Sequence, residues 1–217
     1  EKGFSKERGI AFFLQGTYTY DNRYVFAGTA NYEGSNQLGR SRSARWLPTW
    51  NVSGRWNASN ESFLKDNTKI SNLAFRVSYG LIAGLGAASN ALAVFKNGVA
   101  NRYNIGDREN IIEIDDLQNM DLTWEKVYET NVGMELGLFK NRVNLSLDLY
   151  QKNSKDLIDY VRTSGIGGQF VKLANNASMV TKGIELALDT KNIKTDNFSW
   201  NTGINFAYFN QEITHLT

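Results

Sequence analysis

The stretch Thr123–Gln151, TWEKVYETNVGMELGLFKNRVNLSLDLYQ, decides the fold. Tyr128, Val132, Met134, Leu136 and Leu138 fall on one face, and Glu129, Asn131, Gly133, Glu135 and Gly137 fall on the other. After the short turn Phe139-Lys140-Asn141 the pattern restarts, with Val143, Leu145, Leu147 and Leu149 against Asn144, Ser146 and Asp148. Successive side chains of a strand point to opposite faces, so this alternation predicts a hairpin with one apolar and one polar side. Two strands of about ten residues, apolar on one side, are the unit of a transmembrane barrel. The same pattern would serve one layer of a soluble sandwich, and the rest of the chain has to separate the two.

Working outward, six more segments alternate in the same way. Gly9 to Tyr20 sets Ile10, Phe12, Leu14, Gly16, Tyr18 and Tyr20 against Ala11, Phe13, Gln15, Thr17 and Thr19. Asp21-Asn22 then has the composition of a tight turn. Arg23 to Glu33 returns with Tyr24, Phe26, Gly28, Ala30 and Tyr32 on one face. Trp46 to Trp56 follows, with its single proline, Pro48, near the start, where a missing N–H is tolerated. A fourth strand sets Leu73, Phe75, Val77 and Tyr79 against Ala74, Arg76 and Ser78. Downstream of the hairpin, Val180 to Lys191 and Phe198 to Asn210 give the seventh and eighth strands. Gly80 to Asp121 and Lys152 to Met179 read as long connecting loops.

The connections sort into two sets. Those after the first, fifth and seventh strands are short and that after the third is intermediate, whereas those after the second, fourth and sixth are longer or more elaborate. Short turns at one end and long loops at the other is the arrangement of outer-membrane barrels. Aromatics gather at strand ends (Tyr18, Tyr20, Tyr24, Trp46, Trp56, Tyr79, Tyr128, Tyr150, Phe198 and Trp200), which suits girdles at two membrane interfaces. A mean hydropathy of −0.41 argues against a helical membrane protein but not against a barrel, in which only every second residue needs to be apolar. The longest apolar-leaning run, Gly80 to Phe95, is broken by Ser89 and Asn90.

A net charge of +2 implies no nucleic-acid field, and the absence of cysteine removes disulfides and thiolate metal sites. The opening EKGFSKERG is polar, with no initiator methionine and no hydrophobic leader core, and the end at His215-Leu216-Thr217 falls just after a strand. The expectation is a piece of a larger protein.

TWEKVYETNVGMELGLFKNRVNLSLDLYQKNSKDLI resembles the barrel of SusC/RagA-type TonB-linked outer-membrane transporters, in which a Trp-Glu-Lys segment opens a strand ending in a short Phe-Asn-Arg-like turn. NNASMVTKGIELAL and FSWNTGINFAYFNQEITHL resemble the next hairpin, and TYTYDNRYVFAGTANYEGSNQLG, RWLPTWNVSGRW and ESFLKDNTKISNLAFRVSYG fit upstream in the same order. Two departures stand out: Gly54 replaces an aromatic, and Leu81-Ile82-Ala83 replaces a polar turn. The resemblance implies an all-β fold, an antiparallel up-and-down transmembrane β-barrel segment of about eight strands from a larger barrel of about 22. Residues 1–217 would form part of one barrel domain, without the family's plug domain or last strand. It implies TonB-dependent import of oligosaccharides or peptides across the outer membrane of a Gram-negative bacterium of Bacteroidetes type. The implied partners are a SusD-like surface lipoprotein, the TonB complex and outer-membrane lipid.

Catalysis has little support, since His215 is the only histidine, and no cofactor motif is present. Glu113, Asp115, Asp116 and Asp121 form an acidic group whose spacing matches no EF-hand; a solvated loop is the simpler account, with calcium the alternative. The glycines at 80, 84, 86 and 165–168 are turn glycines, because no Lys-Ser/Thr follows. The residues expected to face the lumen are Arg55, Arg76, Glu129, Asn131, Glu135, Asp148, Glu185, Asn201 and Asn205, because a charge on the lipid face costs about 2–4 kcal/mol at mid-membrane for Arg or Lys. Arg102, Tyr103 and Tyr160 are the loop candidates for ligand or partner contact. The alternatives are a non-transporting barrel that docks other envelope proteins, an isolated eight-strand barrel closed on itself, and a soluble β-sandwich carbohydrate-binding module.

Overall fold

The computed structural model describes residues 7–65, 67–86, 91–101, 108–165 and 170–216. Ten strands follow in order: β1 (Gly9–Tyr20), β2 (Tyr24–Ser35), β3 (Trp46–Asn57), β4 (Ile70–Gly84), β5 (Val94–Asn101), β6 (Arg108–Asp116), β7 (Glu125–Leu138), β8 (Val143–Arg162), β9 (Val171–Lys194) and β10 (Ser199–Leu216). Eight of them form one antiparallel sheet in the order β1-β2-β3-β4-β7-β8-β9-β10, and β5 and β6 pair separately as a hairpin. Among the described residues β1 and β10 do not pair, so the sheet does not close on itself as an isolated eight-strand barrel would.

The turns at one end are tight. In the three-residue connection Asp21–Arg23, Asp21 (φ 50°) and Asn22 (φ 52°) both take the left-handed conformation, and the Arg23 amide donates to the Tyr20 carbonyl at 3.0 Å. Phe139, Lys140 and Asn141, the turn expected between β7 and β8, are all left-handed as well.

At the other end the strands run further than their alternation suggests. β4 continues to Gly84, so Leu81-Ile82-Ala83 is strand rather than turn. β8 and β9 are 20 and 24 residues long, and the expected loop from Lys152 to Met179 is mostly a hairpin that overshoots the roughly ten residues a spanning strand needs. Tyr160, placed in that loop by the sequence, lies on β8 and is exposed. The expected loop from Gly80 to Asp121 contains the β5–β6 hairpin.

The largest apolar cluster among the described residues lies among these long connections, against the loop-end segments of β3, β4, β8 and β9. Leu38, Ala91, Leu122, Trp124 and Ile158 are buried together, with Leu47, Ala83, Leu85 and Leu173 packed around them. Gly39 and Arg40 donate to the carbonyls of Leu122 (2.8 Å) and Met120 (3.2 Å), Asn119 Nδ2 to that of Leu173 (2.8 Å), and Trp124 Nε1 to that of Arg45 (2.9 Å). The Trp-Glu-Lys lead-in therefore has a structural meaning. Trp124 is the centre of this cluster. Glu125 accepts from the Ile158 amide at 2.8 Å, and Lys126 reaches Asp156 at 2.6 Å. Both fasten the bulge in β8, where the pairing slips between Ser154 and Leu157 and Asp156 is left-handed.

Both faces of the eight-stranded sheet stay open, and the only other sheet among the described residues is the two-stranded β5–β6 hairpin. A sandwich would cover one face with a second sheet. The apolar face also slips across the strands. One row of register partners crosses all eight: Gly16, Gly28, Val52, Tyr79, Thr130, Gln151, Lys182 and Asn210. On β1 the apolar positions continue beyond this row through Leu14, Phe12 and Ile10, whereas on β10 they stop short of it at Tyr208. The upper edge thus moves by eight residues over seven strand-to-strand steps. At about 3.3 Å per residue and 4.8 Å per strand, that is a slope of about 40°. Strands tilted by roughly 35–45° through a flat apolar slab produce this slip.

Candidate functional site

The register places all nine polar-face candidates on the same side of the sheet. Arg55, Arg76, Gly133, Asp148 and Glu185 are successive partners in one row, with Ala207 next on β10. Glu129, Asn131 and Glu135 share this face with Gly133, as do Asn201 and Asn205 with Ala207, because each lies an even number of residues away.

Four of the nine meet in a continuous ladder over four strands. Arg55 Nη1 and Nη2 donate to the two Glu135 oxygens at 3.1 and 2.7 Å. Arg76 Nη1 donates to Glu135 Oε1 at 2.9 Å, and its Nη2 to both Asp148 oxygens at 2.8 and 2.7 Å. Each arginine crosses an intervening strand at a small residue. Arg55 on β3 reaches β7 across β4, where Ala74 lies buried. Arg76 on β4 reaches β8 across β7 at Gly133, where a Cβ would stand 2.5 Å from Arg76 Nε and 2.7 Å from Asp148 Oδ1. Forked guanidinium donors suit such bidentate carboxylate contacts. Asn51, Ser53 and Asn131, with Arg55, Arg76 and Asp148 of the ladder, line a cavity of about 530 Å³.

The remaining candidates are less tightly joined. Glu129 lies 3.8 Å from Lys152, a polar-face cation that the sequence reading passed over. Glu185, Asn201 and Asn205 are exposed on β9 and β10. Tyr150 needs correction: it is no girdle residue. It pairs with Asn131 and Gly183 on the polar face, and its ring lies where a Gly183 Cβ would be. Its even spacing from Asp148 could have revealed this. Tyr18, Tyr20, Tyr24, Trp46, Trp56, Tyr79 and Tyr128 do share the apolar face, where Tyr32 stacks on Trp46 and Trp56 on Phe75. Arg102 and Tyr103 lie outside the described residues. Among the described residues no group of three or more His, Cys, Asp or Glu could hold a metal ion, and Asp115 pairs with Lys96 at 3.0 Å.

The short-turn end carries a second polar cluster. Glu61 accepts from Tyr24 Oη (2.8 Å), Trp56 Nε1 (3.1 Å) and Arg23 Nη1 (3.2 Å). The tyrosine and indole donors, then the arginine charge, hold its carboxyl below the ordinary 4.5. A carboxyl with a lowered folded pKa stabilises the fold above its unfolded value, and that contribution is lost as pH falls through the lowered pKa. The Trp56 indole N–H resonance is therefore expected to shift during acidification below pH 4.5, and Glu61→Gln to abolish that shift. An identical titration in the variant would refute the contact.

An open, tilted, two-faced sheet with an ordered ion ladder on its polar side is the wall of a large barrel, and the comparisons with known proteins agree. Residues 3–215 match the family model described as TonB dependent receptor-like, beta-barrel. The chain is 29% identical to the TonB-dependent receptor SusC of Bacteroides thetaiotaomicron over 214 residues, covering 96% of this chain and 21% of SusC. It is 28% identical to the TonB-dependent receptor P3 of Formosa agariphila over 200 residues, covering 91% of this chain and 20% of P3. The solved RagAB peptide importer in its 'closed-closed' state matches with a TM-score of 0.83 at 25% identity, over 96% of this chain and 22% of that one. Its 'open-open' state matches with a TM-score of 0.82 at 26% identity, over 97% and 22%. The chain spans about a fifth of the length of these relatives. With its register, tilt and ladder, the chain belongs to the TonB-dependent receptor β-barrel family, in the SusC/RagA group of outer-membrane transporters.

Proposed function

We propose that the intact protein imports oligosaccharides or peptides across the outer membrane of a Gram-negative bacterium, energised by the TonB complex and lidded by a SusD-like surface lipoprotein. The observation that carries this is the ladder Arg55–Glu135–Arg76–Asp148 on the polar face of a barrel wall shared with SusC and the RagAB peptide importer. Charges at mid-strand are tolerated where they face an aqueous or protein-filled lumen, so the nine polar-face residues line that lumen. Both an oligosaccharide and a peptide present hydrogen-bonding groups that such a wall solvates. The packed loops at the other end form a firm rim on which a lipoprotein can seat.

Purification of the intact protein from native membranes in detergent, followed by mass spectrometry of what accompanies it, tests the reading. A co-purifying surface lipoprotein and a bound oligosaccharide or peptide are expected. Recovery without any lipoprotein would count against the lidded importer.

A further inference from the structure

We propose that the outward face of β7–β9 holds the phosphorylated headgroup of an outer-leaflet glycolipid, in a recess beside Lys155 and flanked by Lys182. This rests on the apolar face lying in the outer membrane, not on which substrate is imported.

The apolar belt ends on these strands at Val132, Leu149 and Ile184, which are register partners. The next outward positions toward the long loops are Thr130, Gln151 and Lys182, then Tyr128, Asn153 and Val180, then Lys126 and Lys155. Three lysines on adjacent strands are thus the first cations beyond the belt. Lys126 is neutralised by Asp156 at 2.6 Å. Lys155 instead lies over the Tyr128 ring, 5.7 Å from its centroid, and neither it nor Lys182 has an ion-pair partner among the described residues. Lys126 and Lys155 are direct cross-strand partners, a like-charge pairing that is unfavourable unless an anion accompanies it, and Asp156 supplies only one.

The geometry adds a shape. The β8 bulge leaves a recess of about 420 Å³ lined by Tyr79, Tyr128, Asn153, Lys155, Met179 and Val180. Gln151 Nε2 donates to Asn153 Oδ1 at 3.1 Å, which leaves the Asn153 amide hydrogens and one from Gln151 for sugar hydroxyls. Glu212 on β10 is the register partner of Val180 and stands diagonal to Lys182, and it is not among the residues that line the recess. A phosphate between Lys155 and Lys182 would place its acyl chains along Leu149 and Ile184, in line with the belt. A zwitterionic headgroup would bring its own cation to these lysines and fit less well.

Native mass spectrometry of the intact detergent-solubilised protein, titrated with monophosphorylated lipid A, tests the assignment. Lys155→Gln/Lys182→Gln is expected to lower bound lipid about tenfold, Lys65→Gln at the short-turn end to leave it unchanged, and dephosphorylated lipid A to bind wild type no better than the double variant. Millimolar inorganic phosphate is expected not to displace the lipid. Equal binding by wild type and double variant, equal binding of the dephosphorylated lipid, or displacement by free phosphate would each overturn the proposal. The import reading would survive any of these, since it is judged by the co-purifying lipoprotein.

Discussion

Replacing Trp124 by alanine is expected to release the packed loops while leaving the barrel wall folded. Trp124 is 5% exposed, sits among Leu38, Leu122 and Ile158, and donates to the Arg45 carbonyl at 2.9 Å. Truncating a buried tryptophan costs about 3–5 kcal/mol, because the cavity collapses only in part. That cost falls on the loop cluster and on the loop-end segments of β3, β4, β8 and β9 that border it, and not on the middle of the eight-stranded ladder. The amides of Gly39 and Arg40, which donate to Leu122 and Met120, report it directly. Their hydrogen-exchange protection should fall by two to three orders of magnitude in Trp124→Ala, as about 3–4 kcal/mol of lost opening energy implies. Amides in the middle of β7 and β8 should stay protected. Trp124→Phe, which keeps most of the packing and loses the indole donor, should fall between. Unchanged protection at Gly39 in Trp124→Ala would show that the cluster is held by its backbone bonds alone.

The second large effect is expected at Gly133, and its sign should depend on its neighbours. A strand glycine is ordinarily a weak point, and replacing it by alanine gains about 0.5–1 kcal/mol. At Gly133 the added methyl meets the Arg76 and Asp148 side chains, not backbone. These flexible groups can move aside, so the loss is the Arg76–Asp148 pair rather than the strand. The pair is part-exposed (side chains 39% and 19%), which caps its value near 1–2 kcal/mol. Gly133→Ala should therefore destabilise the wild type slightly, and stabilise a background carrying Arg76→Gln and Asp148→Asn. Urea unfolding of the four proteins in micelles gives the coupling, expected at about 1–2 kcal/mol. Additive effects would mean that Arg76 does not depend on the gap at Gly133.

The sequence was most informative where its signal was local. β1 could be bounded as Gly9–Tyr20 from its own residues, because a tight turn and a change in period mark its ends within a few residues. β8 could not: beyond Lys152 the chain runs polar through Asn153-Ser154-Lys155-Asp156 and then sets Leu157 and Ile158 side by side, so the alternation breaks at the bulge and no longer carries information. The β5–β6 hairpin was missed because its short strands bury no continuous face. Tyr150 was misplaced because an aromatic near a presumed strand end looks like a girdle residue until the strand is known to continue.

Period-two patterning thus determined that this chain is a succession of two-faced strands, which face is apolar, and on which side each charged residue stands, since each follows from the pleat within a single strand. Only the tertiary structure decided which charges meet. Arg55 and Glu135 are 80 residues apart, and their contact depends on the registers of two strand pairs and on the small Ala74 between them. A slip of one residue in either pairing would turn a whole strand over. The same holds for Trp124: the sequence marks it, but its role at the centre of the loop cluster exists only once three separate connections are brought to the same end of the wall.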